Sequence, residues 1–243
     1  MFEKQNDELG IPRKIGQIWI GPNPAPIEWM STWKNKHPNW EYTLYDNKFL
    51  AEFPFRTSCQ IREYMLRGDY PGVADCMRLE ILYTQGGVIA AADSICLLPI
   101  DNLFPEPKSY WVYENEFLRG SLVSPPIACE PGNPFINTII ERVIAIRPRD
   151  LEEAWKSVGN LFLARMIREH KPDIKIFPSH YFNPDHYEGE SYLGGGAVYA
   201  KQFFASTQGT YKKNRTFKSY LLYKKQKFYK KRRYKNNIKK RNL

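Results

Sequence analysis

The chain has 243 residues, of which 42% are hydrophobic and 15% aromatic, a composition that predicts a folded globular body with a sizeable core. No stretch approaches about 18 consecutive apolar residues, and the polar start MFEKQNDELG lacks the apolar segment of a signal peptide, so we predict a cytosolic protein without a membrane-spanning helix. The single cysteines suit neither a zinc site nor a disulfide framework, and we expect reduced core thiols at Cys59, Cys76, Cys96 and Cys129.

The net charge of +10 is concentrated at the C-terminal end of the chain. Residues 212–243 contain 15 Lys and Arg and no Asp or Glu, whereas the rest of the chain has 21 basic and 26 acidic residues. We therefore predict a body over residues 1–211 and a basic tail over residues 212–243. The charge run favours a solvated or disordered tail, while its interleaved Tyr, Phe and Leu also suit an anionic membrane surface or single-stranded nucleic acid. The acidic balance of the body argues against a nucleic-acid-binding domain.

Taken in chain order, strand-like and helix-like segments alternate along the body. Apolar runs and alternation predict strands at 14–20, 41–45, 88–92, 109–114, 121–128 and 174–178. Helical spacing and end signals predict helices at 27–36, at 72–87 with its end at the pair Gly86 and Gly87, after the cap Asn133 and near 158–169. The alternation predicts an α/β fold with a mixed, mainly parallel central sheet flanked by helices, in which ligands bind at the carboxyl ends of the strands.

The buried strand at 88–92 runs into a single carboxylate in the sequence GGVIAAADS. This carboxylate is Asp93, and acidic residues at a strand end often hold a metal ion together with further acids. Two positions earlier, however, the chain has Ala91. The local pattern therefore leaves two interpretations open: a metal site that lacks one member, or a strand with an acidic end.

Four segments, in this order, resemble sugar transferases with a D-x-D motif. This group includes the initiating α-1,6-mannosyltransferase, bacterial capsule and lipopolysaccharide transferases and, more remotely, the large glucosylating toxins. The segments span residues 11–211 and are IPRKIGQIWIGPNPAPIEWMSTWKNKHPNWEYTLYD, GVADCMRLEILYTQGGVIAAADS, FPSHYFNP and VYAKQFFAST. The resemblance implies a single nucleotide-sugar-binding domain of the GT-A type. It also implies a UDP- or GDP-sugar donor, Mn²⁺ or Mg²⁺, a glycan or glycosylated acceptor, and transfer with retention at the anomeric carbon.

The resemblance also assigns roles to residues that bind the donor. In the family motif A-D-x-x-R, the Asp contacts sugar or ribose hydroxyl groups and the Arg lies near the sugar and the diphosphate; these positions are Asp75 and Arg78 here. Their spacing of three places them on one face of a helix, where a surface ion pair is the structural alternative. Trp19 occupies the position at which the family stacks an aromatic ring on the nucleotide base, and core packing is its alternative.

The metal site is where the chain departs from the family pattern. In G-G-x-Y-x-D-x-D the chain has Ile89 for the Tyr and Ala91 for the first Asp, so only Asp93, usually the direct metal ligand, remains. Near the end of the domain Gln202 replaces a His while Ser206 is retained, and both are expected to complete the metal and phosphate contacts. The resemblance therefore implies a weakly held cation.

These departures leave two functions open within the same fold. The family's T-G-P segment appears here as Val158, Gly159 and Asn160, a further change at the site. The chain is then either a transferase with reduced turnover or a sugar-nucleotide-binding paralogue that has lost turnover. Ala91 is either an engineered change or natural divergence, and the other departures favour divergence. The acceptor is expected to contact the variable stretch YENEFLRG at 113–120, and the protein to be cytoplasmic or peripheral at the inner membrane surface.

Overall fold

The computed structural model describes residues 10–124, 127–186 and 189–203, which alternate strands and helices. The strands are β1 (Lys14–Ile18), β2 (Glu41–Tyr45), β3 (Gly87–Ala90), β4 (Ser94–Cys96), β5 (Ser109–Val112), β6 (Ala128–Cys129), β7 (Ile174–Phe177) and β8 (Ala200–Gln202). The helices are α1 (Ile27–Lys36), α2 (Asn47–Glu52), α3 (Ser58–Arg67), α4 (Tyr70–Gln85), α5 (Pro134–Ile144), α6 (Ala154–Ser157) and α7 (Asn160–His170). The predicted basic tail and Ser206 lie outside the described residues. Among the helices within them, none has the length and apolar character needed to cross a membrane.

Six of the described strands form the central sheet in the order β2-β1-β3-β6-β5-β7. Strand β1 runs parallel to both β2 and β3, and β5 runs parallel to β7, while the short β6 is antiparallel to its two neighbours. The prediction of a mixed, mainly parallel sheet is confirmed. Strands β4 and β8 pair separately, with Ser94 opposite Gln202, which brings the chain just after Asp93 against the end of the described region.

Side chains of the central strands alternate between two hydrophobic clusters, one on each face of the sheet. Ile89 and Trp111 pack into the cluster formed with α3, α4, α5 and α7. Their strand neighbours Val88 and Tyr110 pack into the other cluster, which includes Trp33 of α1. The predicted arrangement of a sheet between helices follows from this alternation. Cys59 departs from its prediction: it is exposed, because it lies away from the buried face of α3, whereas the other three cysteines are buried.

Local sequence signals place the ends of α4 and α5 as predicted. The turn from α4 into β3 requires positive φ angles of 64° at Gly86 and 85° at Gly87. A Cβ on Gly87 would also lie 2.7 Å from the carbonyl oxygen of Lys14 in the neighbouring strand. Helix α5 begins where Asn133 Oδ1 accepts a hydrogen bond of 3.0 Å from the amide of Ile136, with proline at the first helical position.

Helix α3 begins at a carboxylate that α4 supplies. Glu80 is buried, and its Oε1 accepts hydrogen bonds from the amide of Thr57 at 2.8 Å and from Thr57 Oγ1 at 2.5 Å. Its Oε2 accepts a third from the amide of Arg56 at 2.7 Å. A negative charge at a helix N-terminus is favourable, so this contact locks α3 against the helix that also carries Asp75 and Arg78.

Candidate functional site

A cavity of about 340 Å³ lies at the carboxyl end of β3, the sheet edge predicted to bind ligands. Its wall contains Asp75 and Arg78 from α4, Ala91 after β3, and Gln202 at the end of β8. The structure therefore brings four of the residues singled out from the sequence to one cavity. Pockets of this kind, with a few converging polar groups in an apolar wall, are typical of small-molecule sites.

Arg78 is held by the backbone and keeps donor capacity for a ligand. Its Nη1 donates a hydrogen bond of 2.5 Å to the carbonyl oxygen of Ile89, the residue that replaces the family's Tyr. Its Nε is buried and has no acceptor among the described residues. Burial lowers the pKa of Arg78, while the charges of Asp75 and Asp93 oppose this effect. An arginine nevertheless stays charged, so the cavity contains a fixed cation with an unsatisfied N–H.

Asp75 is half-buried on the same helix face. Burial raises the pKa of Asp75 to about 7, with the charge of Arg78 lowering it and that of Asp69 raising it further. Asp75 accepts no hydrogen bond from the described residues, and the surface ion pair considered as its alternative with Arg78 is not formed. Its Oδ2 lies 3.1 Å from the point that a Cβ on Gly159 would occupy, so the glycine leaves room for the carboxylate.

The turn after β3 is fixed by buried side chains that sequence reasoning missed. The carbonyl oxygen of Ala91 accepts hydrogen bonds from Gln17 Nε2 at 3.0 Å and from Ser94 Oγ at 2.6 Å. Tyr42 Oη in turn donates to Gln17 Oε1 at 2.8 Å, and Trp33 Nε1 donates to Ser94 Oγ at 3.0 Å. Position 91 therefore has a defined place on the cavity wall.

Asp93 is not part of the cavity wall but lies one contact away from it. Gln202 Nε2 donates to Asp93 Oδ1 at 3.2 Å, and the Asp93 carbonyl accepts from the amide of Phe203 at 2.8 Å. The described residues contain no group of three or more His, Cys, Asp or Glu that could hold a metal ion. A single carboxylate can hold a hard cation that takes its other oxygen ligands from a bound ligand and water, but Gln202 would first have to turn its N–H group away from Asp93.

Trp19 is not brought to the cavity wall. It follows β1, is half-buried, and its Nε1 donates to the carbonyl oxygen of Asn23 at 2.8 Å. Its backbone amide donates to the carbonyl of Tyr45 at 3.0 Å. The stacking role expected for Trp19 remains a proposal. Trp33, by contrast, is fully buried and lines the cavity.

A second group of cavity residues was not identified from the sequence. Buried Glu114 accepts a hydrogen bond of 2.8 Å at Oε2 from Asn160 Nδ2, and its Oε1 lies 3.5 Å from both Arg119 Nε and His186 Nε2. Burial alone would raise the pKa of Glu114, but these partners hold it below its ordinary value. Glu114, Asn160 and the half-exposed Trp155 all line the cavity. Two signals pointed there: Asn160 stands at the Pro of T-G-P, and Glu114 lies in the stretch 113–120.

Comparison with known sequences gives a family match over part of the chain. Residues 26–110 match the model described as glycosyltransferase sugar-binding region containing DXD motif. The curated protein inositol phosphoceramide mannosyltransferase 3 from Schizosaccharomyces pombe (strain 972 / ATCC 24843) is 26% identical over 147 residues, which are 57% of this chain. The chain spans 38% of the length of that relative.

Solved structures share the fold at low sequence identity. The PaToxG glycosyltransferase superposes with a TM-score of 0.57 at 17% identity, over 66% of this chain and 70% of that one. The UDP-bound glycosyltransferase domain from the YGT toxin superposes with a TM-score of 0.51 at 10% identity, over 70% of this chain and 80% of that one. These similarities confirm the GT-A type of α/β domain.

Proposed function

We propose, from the match of residues 26–110 to the DXD-containing glycosyltransferase model, that the chain transfers a sugar from a nucleotide-sugar donor to a glycan or glycosylated acceptor, with retention at the anomeric carbon. The observation that carries the proposal is the buried Arg78 Nε, without an acceptor among the described residues, in the same cavity as Asp75. A buried N–H without a partner costs free energy, which a ligand oxygen can offset. Diphosphate oxygens suit an arginine donor especially well.

The proposed roles follow from the charges that develop as the donor bond breaks. Negative charge grows on the β-phosphate, and Arg78, fixed by the carbonyl of Ile89, presents its positive charge there without reorganising. Asp75, when ionised, accepts hydrogen bonds from hydroxyl groups of the sugar or the ribose, and its charge also favours a cation-like sugar. Trp19, beyond the wall at the end of β1, is proposed to stack on the base.

A divalent cation is the cofactor proposed for this site. When bound, Mn²⁺ or Mg²⁺ would neutralise charge on both phosphates. Asp93 would hold it directly; Gln202 would have to turn its amide oxygen toward it, and Ser206 is the further ligand that the family pattern implies. With a single carboxylate available, we propose that the cation binds weakly and only together with the donor.

The relatives suggest which substrates to try first. One structural neighbour is a UDP-bound domain, which supports a UDP-sugar as the first donor and a GDP-sugar as the second. The name of the curated relative includes inositol phosphoceramide, which supports an acceptor with a hydroxyl-rich headgroup at a lipid surface. With a membrane acceptor, the predicted basic tail would hold the protein at the lipid surface, since clustered Lys and Arg bind anionic lipid. The protein would then act at the cytoplasmic face of a membrane.

A second candidate function is sugar-nucleotide binding without turnover. Two observations favour it: the chain has Ala91 where the resemblance implies the first acid of a D-x-D motif, and Gln202 donates a hydrogen bond to Asp93. Such a protein would bind the donor through Asp75 and Arg78 but neutralise the leaving diphosphate poorly.

One experiment separates these candidates. Thermal unfolding is followed with UDP- and GDP-sugars, with and without Mn²⁺, because a ligand that binds only the native state raises the melting temperature. Mass spectrometry on the same samples detects released nucleotide. Stabilisation with release supports the transferase, and stabilisation without release supports the binding paralogue. Arg78→Ala should abolish the shift, whereas Arg149→Ala, which removes an exposed arginine, should keep it. No shift with any donor would overturn both candidates.

A further inference from the structure

One wall of the cavity presents a carboxylate and an amide side by side. Glu114 Oε2 accepts the hydrogen bond from Asn160 Nδ2, which leaves the second amide hydrogen of Asn160 and its Oδ1 without a partner among the described residues. The positions are 46 residues apart in sequence, so the pair exists only in the folded chain. A carboxylate and an amide at this distance offer both acceptors and donors, which is what adjacent hydroxyl groups require.

An indole ring stands beside this polar pair. Trp155 lines the same cavity, yet its side chain is 51% exposed, which is unusual for so large an apolar group. Lys156 Nζ lies 5.4 Å from the ring centroid, a cation–π contact that helps to keep the ring in place. Aromatic rings with an apolar face open to a cavity bind the C–H faces of ligands that also carry polar groups.

Gly159 lies close to both Trp155 and Asp75, a residue of the proposed donor site. A Cβ at Gly159 would lie 3.0 Å from the Cα of Trp155 and 3.1 Å from Asp75 Oδ2, so Trp155 and Asp75 are close on either side of the glycine. Asp75 and Trp155 also line the same cavity, so one ligand can contact both residues.

The charges on the cavity wall favour one orientation of a bound ligand. Arg78 supplies a fixed positive charge, whereas Glu114 is held in its ionised form by Asn160, Arg119 and His186. A phosphate is therefore favoured beside Arg78 over Glu114, and a ligand group beside Glu114 is favoured when it donates hydrogen bonds. The neutral, hydroxyl-rich group with an apolar C–H face that meets these needs is a pyranose ring.

We infer that Glu114, Asn160 and Trp155 form a pyranose subsite, in which ring hydroxyls bond to the Glu114–Asn160 pair and the C–H face of the ring lies on Trp155. The inference deepens the proposed function and rests on it for the presence of a sugar substrate. The ring can come from either substrate, the donor or the acceptor, and the chemistry that recognises it is the same.

The chain offers a variant that removes the amide and keeps the backbone. Asn160 is the first residue of α7, where proline is well tolerated, and its amide N–H makes no hydrogen bond to the described backbone. Proline is also the residue that the related T-G-P pattern has at this position. We therefore choose Asn160→Pro with Trp155→Ala as test variants, Glu114→Gln to remove charge at constant shape, and Asn102→Ala as the control at an exposed asparagine.

Two arms of one titration distinguish the sources of the ring. In the donor arm, calorimetry compares UDP-glucose with UDP and GDP-mannose with GDP, so that the ratio of affinities isolates the sugar. In the acceptor arm, saturation-transfer NMR measures methyl α-glucopyranoside and methyl α-mannopyranoside with UDP or GDP present. We expect each test variant to weaken the sugar contribution by about tenfold in one arm, with nucleotide affinity and the Asn102→Ala control unchanged.

The outcomes separate this inference from the proposed function. Loss confined to the donor arm assigns the ring to the donor, and loss confined to the acceptor arm assigns it to the acceptor; both support the subsite. If the glycosides bind and no nucleotide does, the proposed function falls while the subsite stands. If the wild-type protein binds a sugar in either arm and Asn160→Pro and Trp155→Ala leave that binding intact, the subsite is wrong. If it binds none of the probes, both fall.

Discussion

Gln202 donates a hydrogen bond of 3.2 Å from its amide Nε2 to Oδ1 of Asp93, the acid proposed to hold a metal ion. The bond occupies a carboxylate oxygen with a donor group, where a cation would require an oxygen lone pair. Any metal ion that binds Asp93 Oδ1 must therefore displace the Gln202 amide or make it rotate. This competition, together with the alanine at position 91, explains why we expect metal binding here to be weak.

An acid at position 91 should strengthen the proposed metal site. We expect Ala91→Asp to tighten Mn²⁺ binding and to raise donor hydrolysis, because one stabilising group at a developing charge is commonly worth about 10²–10³ in rate. Ala91 lies on the cavity wall, so the new carboxylate can reach a bound cation. The measurement is a Mn²⁺ titration of hydrolysis, with Ala92→Asp adding the same charge one residue further along. Equal behaviour of the wild type and Ala91→Asp would show that position 91 does not face the metal.

The raised pKa of Asp75 should make donor binding depend on pH near neutrality. The carboxyl has a pKa of about 7 in the native protein, so it is mostly protonated at about pH 6 and mostly ionised at about pH 8. We expect affinity for UDP-glucose to rise about tenfold across this interval, since only the ionised form accepts hydrogen bonds at both oxygens. UDP-glucose is the suitable probe because its diphosphate has no proton to lose in this range. The dependence should disappear in Asp75→Asn.

The raised pKa of Asp75 also determines how the free energy of unfolding should change with pH. Between about pH 4 and pH 7 the native state binds the Asp75 proton more tightly than the unfolded chain does, so the free energy of unfolding should fall as pH rises through this window. Urea unfolding of the wild type and of Asp75→Asn at both ends of the window measures the difference. A variant with the same slope as the wild type would contradict the assignment.

A methyl group at Gly159 should disturb the donor site without unfolding the protein. Gly159 has an ordinary φ of −102°, so alanine fits the backbone, but its Cβ would crowd Asp75 Oδ2 and the Cα of Trp155. We expect Gly159→Ala to weaken UDP-glucose binding about tenfold, because small displacements of positioning groups are costly. Gly195→Ala, at a glycine with nothing within 4 Å of the added Cβ, is the matched control. Undiminished binding would mean that Asp75 adjusts freely.

The buried carboxylate of Glu80 should matter for stability and little for binding. Glu80→Gln turns one acceptor into a donor that faces the backbone N–H groups of Arg56 and Thr57. We expect a loss of about 1–3 kcal/mol in the free energy of unfolding, measured by urea denaturation. Glu52→Gln, at an exposed carboxylate of α2, should change it little. Equal effects of the two substitutions would show that the cap of α3 does not depend on this charge.

The basic tail should bind membranes through charge. We expect co-sedimentation with liposomes to require anionic lipid, to weaken as salt is raised, and to be lost when residues 212–243 are deleted. Thermal unfolding of the shortened protein confirms that the body is intact. Equal binding to neutral vesicles would reject the electrostatic account.

The sequence predicted those helices whose signals lie within the helix or directly beside it. Met30 and Trp33 at helical spacing gave α1, and the cap at Asn133 gave the start of α5, because each depends on neighbours in the chain. Helix α3 was missed: its first turn is stabilised by Glu80, more than 20 residues away, which no local pattern reveals. The same difference between local signals and long-range contacts applies to the candidate site. The motif identified Asp75 and Arg78, whereas Glu114 meets Asn160 only after the sheet has formed.

The two hydrogen bonds that hold the carbonyl of Ala91 have a consequence for how this position can evolve. Gln17 and Ser94 bind the backbone carbonyl of residue 91, so these two hydrogen bonds do not involve the side chain at that position. A substitution at position 91 therefore changes the chemistry of the cavity wall and leaves both of these backbone hydrogen bonds possible. An alanine codon that ends in a pyrimidine becomes an aspartate codon by a single nucleotide change, so an acid at this position can be lost or gained in one step within the same scaffold.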